Sequence, residues 1–436
     1  MASPKISVLV STKTNEWIDA EVLLDEFIHA QTLDAGDASS VIEDAEATVG
    51  QAAKFLAHVA LNIDNDSQST EARMRLLLNM LKRFTSSYLA TKDIHSLRVS
   101  YPIHTHKTVL SACYRTVAAL ENKASSSVPR QLESALLDAA KHGKASIFAL
   151  FGGQGTNEVY FNELQSLYDI YQPYVAPFLE AILPDLTNVI SWLSGATNWL
   201  SVAYLASAPL SLPLIGLTQL IQYLVACRIA NLTTGQVRSR IARATGHSQG
   251  ILSAVGISAS ETLDDFTENS RKALHWLFYC HLCGQQAFPP VAVEPSLVQD
   301  TLDDGEGIPS PVSSVAGLPL KDLEVHIKKT NSHLPADFQL GVSLYNGPRA
   351  FIVTGPARAS HGLVTNLRKV RVPSGADQSK VPFSQRKPAF SVHFLVVGIP
   401  YHSPYLKDAT DAVMDEDLDE LWEPSELKVS VYNTNI

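Results

Sequence analysis

Cysteine is scarce in this chain. Its 436 residues hold four, Cys113, Cys227, Cys280 and Cys283, at no spacing that would staple a fold, which excludes a disulfide scaffold and points to a reducing, cytoplasmic compartment. Cys280-His281-Leu282-Cys283 is formally a C-x-x-C pair, but it has no partner pair and lies in the apolar helical run Ala273 to Cys283. Core packing is expected there rather than zinc or redox chemistry, and no metal site is expected. Charge is scarce too. Charged residues make up 18% of the chain and sum to −10, which argues against nucleic acid or another polyanion as partner. Any basic docking patch must be local. Arg368-Lys369-Val370-Arg371, with Lys380, Arg386 and Lys387, is one such concentration, read first as a solvated face. With 45% apolar residues there is ample material for buried cores, so the chain is not a disordered type. No internal repeat or low-complexity tract occurs.

Long hydrophobic runs are few. Ile6 to Val10 is too short for a signal-peptide core and is read as a first β-strand, so no targeting segment is expected. Leu186 to Cys227 carries no charged side chain and by hydropathy alone would pass for a membrane span. Pro209 and Pro213 interrupt it, and Asn188, Asn198, Gln219 and Gln222 punctuate it. A buried pair of helices joined by a proline turn accounts for those residues better than a membrane helix.

Three short patterns carry chemistry. In Gly246-His247-Ser248-Gln249-Gly250 a serine sits between two glycines, as on a strand-to-helix elbow too tight for neighbouring β-carbons. Such an elbow exposes the Ser248 hydroxyl as a nucleophile and leaves the following N–H free for an oxyanion. Alone, the pattern is equally that of an ordinary glycine turn. Phe148 to Phe151 reads as a short buried strand running into Gly152-Gly153-Gln154-Gly155, whose glycines let backbone N–H groups approach a ligand. In Ile399-Pro400-Tyr401-His402-Ser403-Pro404, two prolines stiffen the loop around a candidate general base, His402.

Length suggests two or three domains. Residues 1–143 alternate polar and apolar at helical spacing, as in Ala72 to Phe84 and Arg130 to Ala140, and are read as a mainly helical domain with loops at Asp34–Ser40 and Ala124–Pro129. Residues 144–436 are read as an α/β domain: strand Ile147–Phe151, helices to about 230, the Ser248 elbow, and a helix from Thr267 to Gln286. A small α+β insert, about residues 311–372, would house a hairpin of Leu340–Tyr345 and Ala350–Thr354 turned at Asn346-Gly347-Pro348.

Phe151-Gly-Gly-Gln-Gly155, the run Tyr160-Phe161-x-Glu163-Leu164-x-x-Leu167-Tyr168-x-x-Tyr171, and Ala244-Thr-Gly-His-Ser-Gln-Gly250 together resemble the acyl (acetyl) transferase region that opens the β subunit of fungal type I fatty acid synthase. That region is related to the starter-unit acyltransferases of fungal polyketide synthases. The resemblance extends through Asp93–Leu97, Glu306–Pro311, Lys329–Pro335, Pro373–Ser379 and Pro382–Lys387, in order, and is strongest from about Ala145 onward. It implies an acyltransferase fold with an α/β-hydrolase-like core and a ferredoxin-like insert. It also implies a seryl acyl-enzyme at Ser248 with His402 as base, and an oxyanion held by the N–H groups of Gln249 and Gln154, with Gly153, Gly155 and His247 lining the site. Val431-Tyr432-Asn433 matches a V-x-N pattern whose Asn carbonyl orients the imidazole, although close fungal relatives tend to carry Asp there.

The same resemblance bears on the substrate. Malonyl-specific relatives place an arginine on the helix after the nucleophile, at about Cys280 here, so the slot is expected to take acetyl or another short neutral acyl group, up to hexanoyl. Acyl-coenzyme A would be the donor and the phosphopantetheine arm of an acyl carrier protein the acceptor, with the synthase α subunit or remaining β domains as partners. The family's β subunit continues well beyond this sequence, so the transferase is expected to be cut short at its C-terminal end. A serine hydrolase with Asp377 as third member, and a catalytically dead fragment with an assembly role, are the other two classes these residues leave open.

Overall fold

The computed structural model describes residues 53–54, 56–57, 77–78, 81, 103–123, 134–155, 157–182, 187–194, 202–205, 210–373, 375–415 and 421–433. The expected strand at Ile6–Val10 and the loops at 34–40 and 124–129 lie outside them, as does most of the Ala72–Phe84 run, whose described residues are helical. In chain order the elements are α1 (Ile103–Lys123), α2 (Ala135–Lys141), β1 (Ile147–Phe151), α3 (Asn157–Ile182), α4 (Thr187–Leu193), α5 (Val202–Leu205), α6 (Ser211–Ala230), α7 (Thr234–Arg238), β2 (Ile241–Gly246), α8 (Gly250–Ala259) and α9 (Leu263–Ala287). They continue with α10 (Pro295–Asp303), β3 (Val312–Ala316), α11 (Leu320–Asn331), β4 (Gly341–Gly347), β5 (Ala350–Thr354), α12 (Ala357–Val370), β6 (Ser391–Phe394), α13 (Lys407–Asp415) and β7 (Val431–Asn433).

Two compact units result. One joins residues 1–146, 163–198 and 221–240; the other joins 147–162, 199–220 and 241–436. The helical unit thus draws on more than the first 143 residues, and the boundaries near 162 and 220 fall inside α3 and α6. Its described elements are all helical, with Tyr114 packed on Tyr171 at 4.8 Å between ring centroids and Arg228 over the Tyr174 ring at 5.3 Å. Helix α3 loses helical geometry at Tyr171 (φ −112°, ψ 25°) just ahead of Pro173, where the missing N–H and the ring clash break the ladder. Of the two prolines expected to turn the chain within 186–227, Pro209 lies outside the described residues and Pro213 lies in the first turn of the 20-residue α6, where its absent N–H costs nothing. Helix α6 is the one described helix long and apolar enough to cross a membrane, and 72% of that stretch is buried inside the protein.

The second unit holds two sheets. Strands β1, β2 and β7 form a parallel sheet in the order β1-β2-β7. Ala149, Ala244 and Val431 face α8, where the fully buried Ala254 packs with them and Val429. Small residues make that approach possible, and Gly256 brings α8 close to the backbone of Asn269 on α9. Phe148 (58% exposed), Leu150 (75%) and Tyr432 (48%) mark the opposite face. Helix α9 starts at Leu263, four residues before the Thr267 expected from sequence, because Thr262 and Asp265 form a reciprocal capping box that meets the unpaired N–H groups of the first turn.

The insert is a four-stranded antiparallel sheet, order β4-β5-β3-β6. With α11 and α12 its chain order is βαββαβ, the ferredoxin-like arrangement. Val315, Leu323, Val353, Leu363, Leu367 and Val392 make its core. Since β6 runs to Phe394, the insert extends past residue 372; polar Lys380 to Lys387 interrupts the pattern and hides the fourth strand. The hairpin turn is Pro348-Arg349, with Gly347 paired to Ala350, so Asn346 and Gly347 belong to β4.

The basic run at 368–371 is not a solvated face. Arg368 pairs with Asp300, Asp304 and Glu306, and Arg371 also reaches Glu306, whose carboxylate is fully buried. Arg386 donates to the carbonyls of Val381 and Ser379, and Lys387 to that of Lys369. These cations tie the insert together.

Candidate active site

Parallel strands β1 and β2 end together, Phe151 opposite Gly246, so the loops that follow them meet beyond the carboxyl edge of the sheet, where open α/β sheets place their sites. The His247 N–H donates to the Phe151 carbonyl at 2.8 Å and locks the two loops. Ser248 follows with φ +53°, and α8 begins at Gly250. A β-carbon on Gly246 would lie 2.1 Å from the Gly250 carbonyl carbon and the Ile251 nitrogen, and one on Gly250 would lie 2.4 Å from the Phe151 oxygen. Both glycines of the elbow are therefore obligatory. Gly153 is equally constrained, by His247 Nδ1 at 2.7 Å and Ser248 Cβ at 3.3 Å from its added carbon, whereas Gly155 has open space.

The structure brings Ser248 and His402 into contact: Ser248 Oγ lies 2.8 Å from His402 Nε2. His402 also has positive φ, +58°, in the loop whose Ile399 and Tyr401 pack over Gly284 of α9. Two of the three described non-glycine residues with positive φ are thus Ser248 and His402, and such strain concentrates where function requires it. Burial and the neighbouring His247 hold the His402 imidazole below its ordinary range, which keeps it neutral and able to accept the serine proton.

The glycine loop faces the elbow through Gly153. Gln154 is fixed by its side chain, Nε2 donating to Ser211 Oγ at 2.6 Å, and among the described residues neither the Gln154 N–H nor the Gln249 N–H has a protein acceptor. His247 Nε2 lies 3.0 Å from Asn346 Oδ1 of the insert, to which it is hydrogen-bonded.

Two further expected residues lie on the elements around this group. Asn433 lies opposite Gly246, the first glycine of the elbow, in the sheet register. Cys280 packs with Trp276, Leu406 and Cys283 against α13, and burial pushes its thiol up to about 11. Asp377, the residue offered as a hydrolase's third member, accepts from Ser379 through both its oxygens.

Sequence reading missed Ser211, Gln219 and Asn346. Gln219, 4% exposed, donates to the Gly152 carbonyl at 2.8 Å; its one sequence signal was an amide within the apolar stretch from Leu186 to Cys227, which has no charged side chain.

A parallel α/β core with a serine elbow, a glycine loop at the next strand and a ferredoxin-like insert defines the acyltransferase fold. Residues 149–388 match the family model described as starter unit:ACP transacylase in aflatoxin biosynthesis, and the chain belongs to that family. Residues 1–120 match the N-terminal domain in fatty acid synthase subunit beta. The chain is 36% identical to the fatty acid synthase subunit beta of Schizosaccharomyces pombe over 99% of its own length and 21% of the relative's. It is 34% identical to that of Saccharomyces cerevisiae over 87% and 20%. It therefore spans about a fifth of the curated relatives it matches, and corresponds to their N-terminal region. Among solved structures, FabD from Acinetobacter baumannii aligns at 15% identity with a TM-score of 0.43, covering 66% of this chain and 72% of that one.

Proposed function

We propose that the chain is an acyltransferase that carries a short uncharged acyl group from coenzyme A, through Ser248, to the phosphopantetheine thiol of an acyl carrier protein in fatty acid or fatty-acid-derived biosynthesis. The 2.8 Å contact between Ser248 Oγ and His402 Nε2 is the observation that carries this reading. His402 takes the hydroxyl proton as Oγ attacks the thioester carbon, and the tetrahedral oxyanion accepts hydrogen bonds from the Gln249 and Gln154 N–H groups. Collapse breaks the carbon–sulfur bond, and His402 returns the proton to the departing thiol. The acceptor thiol then repeats the sequence in reverse, leaving Ser248 free.

A dyad suffices because a thioester is already an activated donor, and no carboxylate bonds His402 among the described residues. That absence disfavours the hydrolase reading. The preference for a neutral acyl group rests on the helix after the nucleophile: Cys280 packs with Trp276, Cys283 and Leu406, and Arg271 on the same helix is held by Glu268. Loading of the protein with labelled acetyl-, hexanoyl- and malonyl-coenzyme A tests the proposal. Acetyl or hexanoyl label on the protein is expected; efficient malonyl loading contradicts the specificity, and loading by none supports an assembly role.

A further inference from the structure

The loop Gly152-Gly153-Gln154-Gly155 contains three glycines, and every one of them enlarges the set of backbone conformations open to it. An oxyanion donor works only if it is fixed before the charge develops. Something must therefore hold this loop. Two side chains of α6 reach it, two turns apart: Gln219 Nε2 donates to the Gly152 carbonyl at 2.8 Å, and Ser211 Oγ accepts from Gln154 Nε2 at 2.6 Å. Both α6 residues are buried, Ser211 at 0% and Gln219 at 4% exposure.

Gln219 is an expensive way to fill that place. Its Oε1 is buried without a partner among the described residues, and a buried, half-satisfied amide is penalised relative to an apolar side chain of similar volume. Its neighbours along α6, Leu217, Leu220 and Ile221, are apolar and almost completely buried. Stability alone would favour leucine. What the amide supplies is orientation: a carbonyl fixed at Gly152 fixes the plane of the peptide that follows, and with the Ser211 anchor it leaves the Gln154 N–H a narrow range of directions. The far side of the loop is closed by His247 and Ser248 against Gly153.

We infer that Gln219 is a positioning residue that holds the glycine loop so that the Gln154 N–H points at the acyl oxygen. The inference rests on the acyltransferase reading. Its test begins with the unmutated protein: failure of that protein to take up an acyl group from its coenzyme A thioester would sink the reading itself. With loading established, Gln219→Leu is expected to lower kcat about tenfold to a hundredfold, below the 10²–10³ typical of removing a donor outright, while KM stays within about twofold. Hydrogen exchange at residues 152–155 should rise without a general rise elsewhere. The isosteric Gln219→Glu can donate only while its carboxyl is protonated, so its kcat relative to the unmutated protein should fall toward that of Gln219→Leu as the pH is raised through the titration of that carboxyl. Unchanged kcat in Gln219→Leu, or a loss accompanied by uniformly faster exchange across the whole chain, would overturn the inference.

Discussion

Ser248 and His402 share more than the 2.8 Å hydrogen bond between Oγ and Nε2: both sit in left-handed backbone, at φ +53° and +58°. For a residue with a β-carbon this conformation costs about 1–2 kcal/mol, and the cost is met at both ends of one hydrogen bond. At Ser248 it turns the chain from strand to helix within two residues. At His402 it points the imidazole out of a loop tied down by Ile399, Tyr401 and two prolines.

The strain at the serine is measurable without any substrate. Ser248→Gly relieves it and Ser248→Ala does not, so the glycine variant is expected to be about 1 kcal/mol more stable than the alanine variant. Urea denaturation of the two proteins checks this. A more stable alanine variant would mean that the elbow is unstrained.

The glycines divide sharply by the space around them. Gly246→Ala and Gly250→Ala drive a methyl group to within 2.1–2.4 Å of backbone atoms and are expected to prevent the elbow from forming, at a cost of several kcal/mol. Gly155→Ala meets nothing within 4 Å and should fold normally. Comparing soluble yield and thermal midpoint of the three variants tests the contrast.

The pH dependence of loading follows from His402. Burial, then His247, lowers its pKa, so the neutral base persists to lower pH than an ordinary imidazole would allow. The acid limb of the kcat profile is expected below the usual histidine range. His247→Gln removes the neighbouring charge and should move that limb upward; a limb that stays in place would show that His247 does not act on His402.

His281 sets an acid limit on stability. It is 2% exposed, and burial lowers its pKa from 6.5 to about 4. Between those values the unfolded chain binds the proton and the folded chain does not, so stability is lost as pH falls from about 6.5 toward 4, by about 3 kcal/mol in total. His281→Phe should flatten that part of the stability curve, read from denaturant midpoints between pH 4 and 7.

What the sequence made legible followed from local rules. The elbow, the glycine loop and the Pro-flanked histidine each rest on residues within five or six positions, and glycine and proline act at that range. The ferredoxin-like hairpin was legible for the same reason, apart from its turn, which shifted to Pro348-Arg349 because Asn346 and Gly347 keep their strand pairing. The missed features are long-range. Arg368 read as part of a basic face because its partners Asp300, Asp304 and Glu306 lie more than 60 residues away. Gln219 read as a polar interruption of an apolar stretch because its acceptor, the Gly152 carbonyl, is a backbone atom that no residue type announces.

The covalent intermediate is the point on which the whole account turns. Incubating the protein with radiolabelled acetyl-coenzyme A, then hexanoyl-coenzyme A, and mapping the label by peptide mass analysis measures it directly. Label on Ser248 in the unmutated chain, absent in Ser248→Ala and strongly slowed in His402→Ala, is the expected result. Label retained in Ser248→Ala at the unmutated level, or carried on another residue, would contradict it.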